Sequence, residues 1–208
     1  SACSFTLLAW CTLRAMSGFT ITSETQAYKR YLTVFDRQIT YPDGRTAAFD
    51  IVGHPRSSFQ FAVVFVYWSE RKRVTLLREF AQAAAGLVYN FPTGSYDAGK
   101  DTSLQQSAAR ELSEEAGLTG GTWHRLLDDD HPGILEGKWC SNRFTPFLVI
   151  DPVQAEPQVA ARDVEEHIEV IEWSVEELRA AILRGELLTP SVQTAFSALA
   201  WLEREKLL

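Results

Sequence analysis

The chain has little of what would tie it to several large classes of protein. Only three of its 208 residues are cysteine, Cys3, Cys11 and Cys140, an odd number without the paired spacing of a zinc site. Neither a disulfide framework nor a Cys/His metal centre finds support, and a reducing, intracellular compartment is the simpler expectation. Basic residues are in deficit, 20 Lys and Arg against 27 Asp and Glu, for a formal charge of -7. That balance argues against nucleic acid and against an anionic membrane surface as partners, since either would need a compensating basic patch. Long apolar runs are missing too: the stretch from Phe5 to Leu13 falls well short of the roughly 20 residues that span a bilayer. The histidines, His54, His124, His131 and His167, are scattered without catalytic or metal spacing.

What is present suits an enzyme-sized α/β protein, with 46% hydrophobic residues to build a core. Residues 1–23 hold no acidic residue, one arginine and several Ser and Thr, similar both to an organellar transit segment and to an ordinary arm. We expect residues 1–24 to form an N-terminal arm, residues 25–208 to form one domain, and the compartment to be cytoplasmic or organellar (plastid or mitochondrion). Strands are expected from Tyr31 to Arg37 and Thr46 to Val52 around the Pro42-Asp43-Gly44 turn, from Phe59 to Trp68, from Val74 to Phe80, near Thr122 to Leu127, from Phe144 to Ile150 and from Ile168 to Trp173. Ser174 and Glu177 form a capping box for a helix stopped near Gly185, and Thr189-Pro190 supplies an N-cap and first turn for a last helix.

The densest chemistry lies in Arg110-Glu111-Leu112-Ser113-Glu114-Glu115-Ala116-Gly117-Leu118. At about 100° per residue, Glu111, Glu114 and Glu115 fall within about a third of the helix circumference, with Glu115 beside the apolar stripe of Ala108, Leu112 and Ala116. A merely solvated acidic face would lie opposite that stripe. Like charges beside a core repel unless a cation neutralises them, and an all-oxygen donor set suits a hard ion, Mg²⁺ or Mn²⁺. Gly117 fits a left-handed helix cap.

These residues, with the Pro92-Thr93-Gly94 turn, resemble the Nudix box, whose pattern is G-x5-E-x7-R-E-U-x-E-E-x-G-U with U aliphatic. The second half is complete. In the first half, residues 95 to 109 make an interval two longer than the pattern's, and Thr102 stands where it has glutamate. Two readings fit that segment: Asp101 or Asp97 replaces the glutamate's charge, or Thr102 and Gln105 are a capping box that starts the helix. Further stretches resemble the ADP-ribose and ADP-sugar pyrophosphatase branch. Val74-Thr75-Leu76-Leu77-Arg78-Glu79-Phe80 is similar to its aliphatic-R-Q-Y/F strand, Asn90-Phe91-Pro92-Thr93-Gly94 to its E-x-P-A-G turn, and His131-Pro132-Gly133 to its S-P-G turn. Asn90 replaces that branch's usual glutamate, and Ala81 stands where a second arginine often appears.

The resemblance implies an α/β/α sandwich with a mixed sheet and an N-terminal strand pair, often serving a homodimer interface. It implies Mg²⁺- or Mn²⁺-dependent hydrolysis of the diphosphate in a nucleoside diphosphate sugar such as ADP-ribose or ADP-glucose, giving AMP and a sugar phosphate. Carried over by position, Glu111, Glu114, Glu115 and the Thr93 carbonyl are the metal ligands, Arg110 orients carboxylates, and Arg78, Gly94 and Glu136 meet the substrate. The catalytic base falls in the loop Asp163-Val164-Glu165-Glu166-His167, on Glu166 first and Glu165 second. Arg78 also reads as a solvated strand-end arginine, and Tyr31, Phe35 and Phe80 as either base-stacking or core aromatics. The rival class is a binding module that keeps the scaffold without efficient turnover.

Overall fold

The computed structural model describes residues 18–156 and 168–208. They fall into two compact units, one comprising residues up to Pro55 with Gly137–Ser141, the other Arg56–Glu136 with Asn142–Leu208. Among the described residues no helix is long and apolar enough to cross a membrane.

In the first unit three antiparallel strands form a meander: β1 (Thr20–Lys29), β2 (Thr33–Thr40) and β3 (Thr46–Gly53). β1 begins inside the stretch read as an arm. The β2–β3 turn closes as Pro42-Asp43-Gly44 predicts, with the Tyr41 N–H donating to the Arg45 carbonyl at 2.8 Å and Gly44 in the left-handed region at φ 83°. Cys140 adds a parallel pairing with Val52.

The second unit is an α/β/α sandwich. Its sheet is built on β4 (Gln60–Trp68) and β5 (Arg73–Ala81), followed in the chain by β6 (Gly86–Asn90), β7 (Thr93–Ser95) and helix α1 (Leu104–Ala116). Then come β8 (Leu118–Thr119), β9 (Thr122–Arg125), β10 (Ile134–Gly137), β11 (Cys140–Ile150), β12 (Val153–Gln154) and β13 (Ile168–Ser174), with Gly137 of β10 and Cys140–Ser141 of β11 counted in the first unit. Helices α2 (Val175–Leu183) and α3 (Thr189–Arg204) complete it. β11 runs parallel to β4 from Arg143↔Gln60 to Ile150↔Tyr67, and β13 runs antiparallel to β5. The sheet is mixed, as expected.

β4 is buried on both faces, so it reads as a continuous apolar run, and its side chains still alternate. Val63, Phe65 and Tyr67 join the core under α2 and α3, with Leu178, Ala195, Ala198, Leu199 and Leu202. Ala62, Val64 and Val66 join the core under α1, with Ala108, Leu112 and Ala116. β4 and β5 pair only near their shared turn, from Val66↔Thr75 to Trp68↔Arg73. Beyond it they part, and the fork is filled by β6 against β5 and β7 against β4. That fork brings the Pro92-Thr93-Gly94 turn beneath α1.

Two helix starts differ from expectation by one residue. Ser103, not Thr102, caps α1, accepting the Gln106 N–H at 3.2 Å, while the Gln106 side-chain oxygen reaches back to the Thr102 N–H and hydroxyl at 2.7 Å each. For α3 the N-cap is Leu188, without a side-chain bond, and Thr189 is already helical. Leu188 is held extended because its N–H donates to the Tyr89 carbonyl at 3.2 Å, so the helix can start only after it. The Ser174–Glu177 capping box forms as the spacing predicts.

Candidate functional site

The backbone of β7 sets the site. The Val64 N–H donates to the Pro92 carbonyl at 2.9 Å and the Tyr96 N–H to the Gln60 carbonyl at 3.1 Å, which marks these as hydrogen-bonded pairs of the ladder. Val63↔Thr93 and Phe61↔Ser95 are then the alternate pairs, whose N–H and C=O groups point away from β4. On this outer edge the Thr93 N–H donates to Glu115 Oε2 at 2.9 Å, and the Ser95 carbonyl accepts from the Ser107 hydroxyl at 2.9 Å. The Thr93 carbonyl, expected as a metal ligand, lies on the same edge.

Close approach of strand and helix depends on Gly94. A Cβ built there would stand 1.7 Å from Glu111 Cγ and 2.2 Å from its Cδ, so any other residue would push the Glu111 side chain out of the position it holds. Glu115 is buried at 9% exposure, while Glu111 and Glu114 are half-buried. Gly117 ends the helix at φ 67°, its N–H donating to the Ser113 carbonyl at 3.1 Å, as expected.

Arg110 is the hub. Its Nη1 donates to Glu111 Oε1 at 2.8 Å and to Glu114 Oε2 at 2.9 Å, and its Nη2 to Asp101 Oδ2 at 3.3 Å. Asp101 is buried at 5% exposure and also accepts the Asp97 N–H at 3.2 Å. Burial pushes its carboxyl up, but the Arg110 hydrogen bond and charge, the Asp97 N–H and the Ser107 hydroxyl outweigh it and hold the pKa below the ordinary carboxyl value. Partial burial likewise opposes the Arg110 charge, and the Asp101 and Glu111 carboxylates more than restore it. Of the two candidates for the displaced charge, Asp101 is the one that meets the guanidinium. The lengthened loop arches over Asp97, whose carbonyl accepts both the Lys100 and the Asp101 N–H, and so delivers a carboxylate one position early.

The remaining expected residues are dispersed. Glu136 lines a cleft of about 340 Å³ with Phe61, Asn90, Thr93, Leu188, Thr189 and Pro190, and its Oε2 accepts from the Asn142 side chain at 3.0 Å. Arg78 forms an exposed ion pair with Glu169 at 3.1 Å. By strand alternation it falls on the face of Val74 and Leu76, under α2 and α3, opposite α1. Tyr31 and Phe80 are exposed and Phe35 is half-buried. Glu165 and Glu166 lie outside the described residues. One contact had no counterpart among the sequence expectations: the Asn90 Nδ2 donates to Glu79 Oε1 at 3.0 Å. The signal for it was Glu79 standing where the resembled strand pattern has glutamine.

Among the described residues no three His, Cys, Asp or Glu side chains are gathered as a ready-made metal cluster. The donor chemistry nevertheless fits a hard divalent cation. Glu111, Glu114, Glu115 and the Thr93 carbonyl offer oxygen only, and a carboxylate holding one hydrogen bond keeps further lone pairs for ligation.

A strand–turn–helix of this geometry, in an α/β/α sandwich, defines a carboxylate-bearing loop–helix site. A family model for the NUDIX domain matches residues 58–201, and the chain belongs to the Nudix family, hydrolases of nucleoside diphosphate derivatives. Among solved structures, an ADP compounds hydrolase superimposes with a TM-score of 0.70 at 18% identity, covering 91% of this chain and 97% of the other. At that identity the likeness concerns the fold. No curated protein matches the chain at a significant level.

Proposed function

We propose that the protein hydrolyses the diphosphate of a nucleoside diphosphate sugar of the ADP-ribose or ADP-glucose type, releasing AMP and a sugar phosphate with Mg²⁺ or Mn²⁺ at the box helix. The observation that carries this reading is the fit of Glu115 and Glu111 to the β7 edge, one clamped by the Thr93 N–H and the other able to hold its position because residue 94 is glycine. A divalent ion bound there would neutralise charge on the diphosphate and acidify a water. The chain's own residues do the positioning. Arg110, held by Asp101, spaces Glu111 and Glu114, and the Thr93 N–H fixes Oε2 of Glu115. The cleft beside Thr93 joins an aromatic face, Phe61, to the carboxylate of Glu136 and to the polar side chains of Asn90 and Thr189, a combination suited to the C–H face and hydroxyls of a sugar. ADP as the nucleotide draws support from the name of the structural relative. Glu166 or Glu165 is proposed as base, and a second copy as partner of the β1–β3 meander, where Tyr28 and Tyr31 are exposed.

The test is a panel of nucleotide sugars with Mg²⁺, products identified by phosphorus NMR. We expect AMP from ADP-ribose or ADP-glucose, and a fall in kcat of about a hundredfold or more for Glu115→Gln. Full turnover in that variant would remove the assignment. An inert wild type that binds one member tightly would favour the binding-module reading.

A further inference from the structure

Asn90 is the most conspicuous departure from the resembled E-x-P-A-G turn, and its surroundings explain it. It is buried at 8% exposure at the end of β6, where the fork between β4 and β5 opens. Its Oδ1 accepts from the Ser191 hydroxyl, which in turn accepts the Phe91 N–H at 3.0 Å. Its Nδ2 faces two oxygens, Glu79 Oε1 at 3.0 Å and Thr93 Oγ1 at 3.5 Å. A carboxylate only accepts, so Glu79 fixes which way round the Asn90 amide must sit. Glu79 stands diagonally across the ladder, since Leu77 pairs with Asn90 and Glu79 with Val88. It shares the α1 face with Leu77 and Ile168, the latter its partner on β13.

The resembled strand carries glutamine at the Glu79 position and the resembled turn carries glutamate at the Asn90 position. Here the strand carries the carboxylate and the turn the amide, and one hydrogen bond joins them. We propose that Glu79 is a positioning residue: this strand carboxylate, rather than one on the turn, orients Asn90, and through Asn90 and Thr93 it sets the backbone N–H that holds Glu115. A side chain that only filled space could be exchanged for its isostere without consequence. An orienting carboxylate could not, and its loss would be repaired by returning the charge to the other partner.

The inference rests on the proposed hydrolase reading for its kinetic arm only, and the test separates the two. Asn90→Asp and Glu79→Gln are both isosteric, so neither changes packing volume. We expect Asn90→Asp, which sets two carboxylates face to face, to lower kcat on the nucleotide sugar about tenfold and to move the Thr93 amide proton away from its hydrogen-bonded position in the NMR spectrum of the metal-free protein. Glu79→Gln with Asn90→Asp should recover most of both losses. A double variant no better than Asn90→Asp, or an Asn90→Asp variant unchanged in the Thr93 resonance, overturns the proposal. If the wild type hydrolyses no nucleotide sugar, the hydrolase reading fails alone, and the Thr93 resonance still decides the role of Glu79.

Discussion

The two helices laid on opposite faces of β4 differ in what the strand offers them. Toward α3 it presents Val63, Phe65 and Tyr67, and α3 replies with Ala195, Ala198, Leu199 and Leu202 in a thick apolar core. Toward α1 it presents Ala62, Val64 and Val66, smaller side chains under Ala108, Leu112 and Ala116. The thin face lets α1 approach closely enough for β7 backbone to touch its carboxylates, and Gly94 is where that approach is tightest. The thicker apolar core lies on one side of the strand and the helix carboxylates on the other. The helix with polar flanks can carry Glu115 into the edge of the core because the Thr93 N–H supplies a donor in place of the water that burial removes.

That division is broken most severely by Phe65→Ala. Phe65 is fully buried and packs against Phe91 with ring centroids 5.0 Å apart. Loss of its contacts should cost about 3–5 kcal/mol in denaturant unfolding. If the faces are separate in function, the folded fraction should keep near wild-type turnover per molecule. A loss of turnover beyond the loss of folded protein would show that the thick face shapes the site, by way of Phe91 next to Asn90.

A smaller effect, on the chemical face, is expected of Asp101→Asn. The substitution leaves Arg110 one charge short in a buried setting, at about 1–3 kcal/mol near neutral pH. The native Asp101 carboxyl titrates below its ordinary value, so the folded state binds that proton less readily than the unfolded chain. Its stabilisation is complete above the unfolded value, about 4, and is lost as pH falls through the lower native one. Wild-type and variant stabilities should therefore converge in acid and separate toward neutrality. Parallel curves at all pH values would deny Asp101 its ionic role.

Much of this arrangement was legible in the chain because it is local. The carboxylates of α1 share a helical period, Gly117 marks a helix end, Ser174 and Glu177 meet within one turn, and Pro42-Asp43-Gly44 is complete in itself. What could not be read depends on the fork. No periodicity announces that β4 and β5 part after Val66↔Thr75, and without that parting neither the Thr93–Glu115 bond nor the Asn90–Glu79 bond can be anticipated. Asp101 was one of two candidates for a displaced charge, and only the path of the loop over Asp97 decides between them. Arg78 is a different case: its motif is local, and only the fold adds that it sits on the sheet face of Val74 and Leu76, paired with Glu169.

Arg78 also offers the mildest way to sharpen the comparison. Its ion pair with Glu169 is exposed, at 41% and 57% of the side chains, so Arg78→Ala should change stability by less than about 1 kcal/mol. Because the Arg78 guanidinium is already paired with Glu169 and is not among the residues lining the Phe61–Glu136 cleft, KM for the nucleotide sugar should move by less than about threefold and kcat should be unaffected. Glu169→Ala, which frees the guanidinium, serves as the paired control and should be as mild. A tenfold rise in KM for Arg78→Ala alone would mean that the substrate extends beyond the Phe61–Glu136 cleft to Arg78, as the strand motif implies. The boundary between chemistry and stability would then run along the sheet, from one end of β5 to the other, instead of through it.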